Sequence, residues 1–181
     1  MKKLTEKKIK SNIAYQGSFL KVLRDEVELP NGKTSFREYI PHPGASLVIP
    51  VTSTGKLVMI RQFRYPLQAE FIEFPAGKLD QGEDPLTAAK RELAEEIGQS
   101  AKLFQHLTTI HPVIGYSDEK IEIYLAKDLY EVDQHLDEDE FLNLFETTFD
   151  EAMELMKQGK ITDVKTMIAL FWYEKVLKRE W

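Results

Sequence analysis

Three carboxylates, Glu92, Glu95 and Glu96, fall within five residues of one another in a segment that reads as helical. On a helix, spacings of three and four residues place them on one face, where each like-charge pair costs about 0.2–0.5 kcal/mol. A divalent cation removes that conflict. Hard ions such as Mg²⁺ or Mn²⁺ favour oxygen ligands and keep water and substrate phosphate in their remaining positions, so the pattern points to phosphoryl chemistry. A lone acidic cluster is ordinarily a solvated helix face. What precedes this one changes the balance: Phe74-Pro75-Ala76-Gly77 carries a strand-like segment into a glycine-containing turn, residues 78–82, that leads directly into the helix. A backbone carbonyl from that turn could complete a metal site, and glycine at position 77 lets the chain approach closely.

The elements that must position these groups are legible from start and stop signals. The glutamate helix has Asp84 as N-cap, Pro85 at its first position and Gly98 as its left-handed terminator. Its stripe of Leu86, Ala89, Leu93 and Ile97 is expected to face the core. A second helix starts at Thr148, with Glu151 completing a capping box, and ends near Gly159. A third starts after Thr162 and keeps Val164, Ile168, Phe171, Trp172 and Leu177 near one side. Strands are expected over residues 46–51, 57–63, 103–110, 121–126 and 141–149. Residues 20–29 and 36–40 form a β-hairpin about Pro30-Asn31-Gly32, closed off by Pro41, Pro43 and Gly44. Strands interleaved irregularly with helices predict an α+β fold with a mixed-sheet sandwich. Residues 1–40 are expected to form a small N-terminal β-strand unit and residues 41–181 the larger domain.

Composition narrows the function classes. A chain of 181 residues with 43% hydrophobic content can bury a substantial core. The net charge of −6 argues against nonspecific binding to nucleic acid or to an anionic membrane. With no cysteine, any metal must be held by oxygen or imidazole. No secretion signal or bilayer-length apolar run is evident, so a cytoplasmic protein is expected.

Gly77, Glu83, Arg91, Glu92, Leu93, Glu95, Glu96 and Gly98 together resemble the signature of the Nudix hydrolase family: a glycine, five residues, Glu, seven residues, then Arg-Glu-apolar-x-Glu-Glu-x-Gly. Chance agreement at the seven fixed positions is on the order of 10⁻⁹ per window. Gln99 departs from the pattern, which usually has an apolar residue there. The resemblance implies a Nudix-type α/β/α sandwich with Mg²⁺, or Mn²⁺, held by Glu92 and Glu96, with Glu95 assisting and the Ala76 carbonyl as a backbone ligand. Glu83 and Arg91 resemble the family's structural ion pair.

From Phe36 onward the chain looks closest to the ADP-ribose and nucleoside diphosphate sugar pyrophosphatases. The supporting stretches are Arg61-Gln62-Phe63-Arg64, Phe71 to Gly77 with Glu73 inside it, Tyr116-Ser117-Asp118-Glu119 and Thr162-Asp163-Val164-Lys165-Thr166. Arg64 suits a phosphate contact because guanidinium offers a fork of donors; Arg61 and Glu73 are further substrate-binding candidates. In this subfamily N-terminal strands exchange across a two-fold homodimer, which makes Tyr15, Phe19 and Arg37 candidates too; Tyr15 and Phe19 are equally ordinary strand aromatics. The general base comes from an acidic loop after the signature. That place is held by Asp137-Glu138-Asp139-Glu140, with Glu140 the first choice and Glu138 the second. The implied reaction splits a nucleoside diphosphate sugar (ADP-ribose, an ADP-sugar or a GDP-sugar) into a nucleoside monophosphate and a sugar phosphate. Ile114 stands where ADP-ribose enzymes usually carry the second proline of a Pro-x-Pro-Gly-like stretch, which speaks for a broader substrate range. Rival readings are a non-catalytic nucleotide-sugar sensor and a nucleoside triphosphate or cap hydrolase.

Overall fold

Ala45–Pro50 is buried at every position, as expected of a strand covered on both faces, and it is the centre from which the larger unit is built. This strand, β4, runs parallel to β9 (Ile121–Glu131) and antiparallel to β7 (Ala76–Lys78), while β8 (Gln99–Ile110) pairs with β9 to give a mixed sheet ordered β7-β4-β9-β8. A second, antiparallel sheet has the order β10-β5-β6, with β5 at Leu57–Arg64, β6 at Ala69–Glu73 and β10 at Leu142–Thr147. The computed structural model describes residues 4–136 and 141–180.

Alternation along β4 and β5 divides the core in two. Leu47, Ile49, Leu57 and Met59 pack with Ala152, Ala169, Leu170 and Tyr173 from α2 (Phe149–Lys157) and α3 (Val164–Lys178). Val48, Val58 and Ile60 pack on the other side against Ala89, Leu93 and Ile97 of α1 (Pro85–Ile97). Sheets lying between α1 on one face and α2 and α3 on the other are the α/β/α sandwich that the signature implied. Among the described residues, no helix is long and apolar enough to cross a membrane.

Helix boundaries follow their caps. Asp84 accepts hydrogen bonds from the amides of Leu86 and Thr87, and Gly98 ends α1 in the left-handed conformation. The reciprocal Thr148–Glu151 bonds start α2, so β10 ends at Thr147 and does not run on to Phe149 as the apolar pattern had predicted. Another departure is α3: Val164, Phe171 and Leu177 are exposed, and the buried face is Thr166, Ala169, Leu170 and Tyr173. With apolar residues on nearly every side, this helix gives no strong period, and its contact mixes small Thr166 and Ala169 with large Leu170 and Tyr173. β8 and β9 extend further than their apolar runs, through pairs such as Gln99↔Glu131, where the backbone ladder alone sustains pairing.

The smaller unit comprises residues up to His42 together with Val113–Glu119. It has three antiparallel strands, β1 (Lys7–Gln16), β2 (Lys21–Glu28) and β3 (Thr34–Tyr39), so the expected hairpin gains a strand before it. β1 is exposed along its whole length and lacks a buried face, so no alternation marked it. The segment 113–119 joins this unit through the Ile40 amide to the Tyr116 carbonyl, the Ser117 hydroxyl to the Ile40 carbonyl, and the His42 amide to the Asp118 carboxylate at 2.7 Å.

Candidate active site

β7 is only three residues long, but its ladder to β4 (Leu47↔Ala76, Ser46↔Gly77, Ala45↔Lys78) fixes the chain beneath α1. Glu92 and Glu96 are buried there, 8% and 2% exposed, although α1 is otherwise an amphipathic helix with polar residues outward. The Ala76 amide donates to Glu96 Oε2 at 3.1 Å. A Cβ added at Gly77 would lie 1.9 Å from Glu92 Oε1 and 2.3 Å from Oε2, so the Glu92 carboxylate occupies the space that a side chain at 77 would fill.

Arg91 is the hub of this cluster. Its Nε and Nη2 grip both oxygens of Glu83 at 3.0 and 2.9 Å, and Nη2 also donates to the Lys78 carbonyl. Nη1 reaches Glu92 Oε1 at 2.7 Å and Glu95 Oε2 at 2.9 Å. The Glu83–Arg91 pair joins the turn to the helix, and the same guanidinium also bonds two further carboxylates of α1. The Arg91 hydrogen bond, followed by that of the Asp80 amide, holds the Glu83 carboxyl below the usual range, and the Glu83 bond most of all raises the Arg91 pKa.

A depressed pKa in the folded state means that the pair stabilises above the unfolded glutamate pKa of about 4.3 and that this contribution disappears as pH falls through the lower folded value. Glu83→Gln is thus expected to lower stability by about 1–2 kcal/mol at neutral pH. Calorimetry from pH 7 to pH 3 should show the gap to the unmodified protein closing below pH 4; a gap constant with pH would deny the ion pair.

The donor set fits a hard divalent cation. Glu83, Glu92, Glu95 and Glu96 carry four negative charges against one on Arg91, all potential ligands are oxygens, and two of the carboxylates are buried. Among the described residues no three acidic or imidazole side chains already stand in a ligating array, because Glu92 and Glu95 turn to Arg91. A cation here would compete with Arg91 for those two carboxylates.

A second charged cluster lies at the end of β6. Glu73, 2% exposed, receives both arms of Arg64, Nε and Nη2, at 2.7 Å and is also bonded by Lys165. Lys165 in turn sits 2.9 Å from Asp163, the N-cap of α3, whose carboxylate bonds the amide and hydroxyl of Thr166. The Thr166 hydroxyl accepts from the Phe74 amide at 3.2 Å, tying α3 to the segment that leads into β7. Burial acts to raise the Glu73 pKa, but the hydrogen bonds of Arg64 and Lys165 outweigh it and keep the carboxyl below its ordinary value. Lys165 was not singled out from sequence. Its partner is 92 residues away, and only the Thr162–Thr166 stretch hinted at a role.

The other candidates are dispersed. In the β5–β6 ladder Arg64 shares the side of Ile60 and Glu73, whereas Arg61 lies opposite Ile72 on the other face. There Arg61 lines a cavity of about 520 Å³ with Ile72, Phe145 and Lys160, 4.0 Å from Glu70. Arg37, Tyr15 and Phe19 belong to the smaller unit: Arg37 is paired with Glu6, and Tyr15 and Phe19 are 57% and 73% exposed. Glu138 and Glu140 lie outside the described residues.

Comparison with known proteins agrees with this geometry. The family model described as NUDIX domain matches residues 41–170, and the model described as Nucleoside diphosphate sugar hydrolase N-terminal domain matches residues 6–40. The chain is 46% identical over 167 residues to the methanol dehydrogenase activator of Bacillus methanolicus, covering 91% of this chain and 90% of that one. It is 42% identical over 172 residues to the ADP-ribose pyrophosphatase of Bacillus subtilis (strain 168), covering 94% and 93% respectively. Its fold matches the crystal structure of an ADP compounds hydrolase with a TM-score of 0.89 at 25% identity, over 99% of this chain and 98% of that one. With the signature glutamates in place on α1 and a family match across most of its length, the chain belongs to the NUDIX domain family and is a Nudix hydrolase.

Proposed function

We propose that this hydrolase cleaves the diphosphate linkage of a nucleoside diphosphate sugar, with ADP-ribose, ADP-sugars and GDP-sugars as the substrate class, giving a nucleoside monophosphate and a sugar phosphate. The observation that carries the reading is the intact, buried pair of Glu92, seated against Gly77, and Glu96, bonded by the Ala76 amide, in a chain so similar to an ADP-ribose pyrophosphatase. Glu92, Glu95 and Glu96, with the Ala76 carbonyl, would hold Mg²⁺ or Mn²⁺. Bound there, such an ion supplies charge neutralisation and Lewis acidity at the diphosphate. Arg64, fixed by Glu73 but 40% exposed at its side chain, offers its remaining donors to phosphate oxygens. Glu140, or failing it Glu138, takes the proton of the attacking water. Residues 41–181 act as the catalytic domain, and residues 1–40 exchange across a homodimer to bring Tyr15, Phe19 and Arg37 to the partner's substrate. Cytoplasmic nucleotide sugars are the expected pool.

Lysine at position 64 keeps the charge but cannot grip Glu73 with two arms and still present a donor. Arg64→Lys is expected to raise KM about tenfold, equivalent to about 1.4 kcal/mol, with kcat little changed. A KM equal to that of the unmodified enzyme in steady-state assays would remove Arg64 from the substrate site.

The substrate class is tested by a panel of ADP-ribose, ADP-glucose, GDP-mannose, UDP-glucose and nucleoside triphosphates, each with Mg²⁺ and Mn²⁺. Turnover of an ADP- or GDP-linked sugar to two phosphomonoesters supports the proposal. Pyrophosphate released from a triphosphate, with the sugars untouched, would replace it by the triphosphate reading. The 46% identity to a methanol dehydrogenase activator favours a second reading, in which the same intact site serves a dehydrogenase. Adding the protein to methanol dehydrogenase turnover assays, alongside Glu92→Gln, separates that role from hydrolysis alone.

A further inference from the structure

A buried carboxylate must have its charge answered, and Glu73 has two cations where one would suffice. Arg64 alone satisfies it geometrically. Its Nε and Nη2 meet the two oxygens at 2.7 Å each, the side-on fork in which guanidinium and carboxylate fit best. Lys165 still reaches in from α3 and donates to Oε2, the oxygen that Arg64 Nη2 already holds. Its side chain is only 16% exposed, so this bond is held against lost rotamer freedom and lost hydration.

What Lys165 adds is electrostatic. The side-on fork uses one edge of the Arg64 guanidinium, and among the described residues no hydrogen bond engages Nη1. Arg64 and Glu73 lie on the Ile60 side of the β5–β6 ladder, and Ile60 packs with Ala89 and Leu93 of the glutamate helix. Glu73, above all through its hydrogen bond, raises the Arg64 pKa, and the charge of Glu96 adds to it through space. An arginine paired one-to-one with a carboxylate presents little net charge to an incoming anion. With a second cation on the same carboxylate, the Arg64 charge is only partly cancelled. The other partner of Lys165 is Asp163 at 2.9 Å, which caps the Thr166 amide at 3.0 Å, where the positive end of the α3 dipole offsets its charge. That cap also fixes where Lys165 stands, because the Thr166 hydroxyl donates to Asp163 and accepts from the Phe74 amide, one residue beyond Glu73.

We propose that Lys165 is a positioning residue for substrate binding: by sharing Glu73 with Arg64 it fixes the carboxylate that orients the guanidinium and leaves the outer edge of Arg64 charged for a phosphate of the substrate. Lys165 acts through Glu73 and not by a contact of its own with the substrate. The inference rests on the reading of Arg64 as a phosphate contact. Loss of Lys165 should therefore appear in KM and leave kcat in place.

The test compares Lys165→Met, which keeps the aliphatic stem, Lys165→Gln, which keeps a donor without the charge, and Lys165→Arg, which keeps both, with Arg64→Lys and Arg64→Lys/Lys165→Gln. KM and kcat for the best sugar nucleotide of the panel, and the thermal midpoint, are measured for each; if Lys165→Met does not fold, Lys165→Gln decides. Expected for Lys165→Met and Lys165→Gln is a KM raised about three- to tenfold, the size of one net hydrogen bond, with kcat within about twofold of the unmodified enzyme. Lys165→Arg should restore KM, and the double variant should bind no worse than Arg64→Lys alone, because Lys165 acts only through the guanidinium. A normal KM in both Lys165→Met and Lys165→Gln, beside a raised KM in Arg64→Lys, overturns the positioning role and leaves Arg64 at the substrate. Impaired kcat, KM and midpoint together, without rescue by arginine, or full additivity in the double variant, reduces Lys165 to a structural tie and also overturns it. A normal KM in Arg64→Lys overturns the Arg64 reading and this inference with it.

Discussion

Glutamine in place of Glu92 is expected to leave a folded protein whose kcat has fallen by about three orders of magnitude, equivalent to about 4 kcal/mol of transition-state stabilisation. The amide is nearly isosteric with the carboxylate, and the bond to Arg91 Nη1 can be kept through the amide oxygen, so the core beneath α1 need not move. What is lost is one of the two buried negative charges of the acidic cluster. Titration with Mn²⁺, followed by its paramagnetic resonance signal, should show affinity weakened in the same variant. Near-normal turnover with unchanged Mn²⁺ binding would detach the glutamate face from the chemistry.

The second large effect comes from a residue that has no functional group. Gly77 does not adopt a positive φ, so alanine is permitted there conformationally, and space alone forbids it. The new methyl would stand 1.9 Å from Glu92 Oε1, and the atoms in its way are the far end of a side chain. The fold therefore survives by swinging the Glu92 carboxylate out of its place, at a modest stability cost of about 1–2 kcal/mol for an off-rotamer side chain and lost hydrogen bonds. Activity should approach that of Glu92→Gln, with the thermal midpoint down by only a few degrees, about what that cost shifts in a domain of this size. A Gly77→Ala enzyme with normal kcat would mean that the position of Glu92 in this structure is not the working one.

These two residues also show where a sequence is readable. Glu92, Glu95 and Glu96 announce themselves because helical spacing turns a one-dimensional pattern into a shared face, and Asp84, Pro85 and Gly98 mark the helix ends by local chemistry. Gly77 was legible as a site of close approach, though which side chain approaches it needed coordinates. Nothing local reveals that Lys165 joins Arg64 on Glu73, since that cluster draws on β5, β6 and α3. Arg61 and Arg64 were both substrate-binding candidates from one short stretch, with Arg64 singled out for phosphate, but strand alternation sends them to opposite faces. β1 escaped notice because an exposed strand has no apolar period, and α3 misled because a helix apolar on most sides does not declare which side is buried. For Arg91 the family pattern pointed to Glu83; its further bonds to Glu92 and Glu95 emerge only when the helix is built.

Phosphorus-31 resonance of the purified protein with Mg²⁺ and the best sugar nucleotide of the panel tests the central claim most directly, run in ¹⁸O-labelled water. The account predicts that the two coupled diphosphate signals vanish and two phosphomonoester signals replace them, one product carrying the label. Persistence of the diphosphate signals for every sugar nucleotide, under conditions where a nucleoside triphosphate yields pyrophosphate, would contradict it.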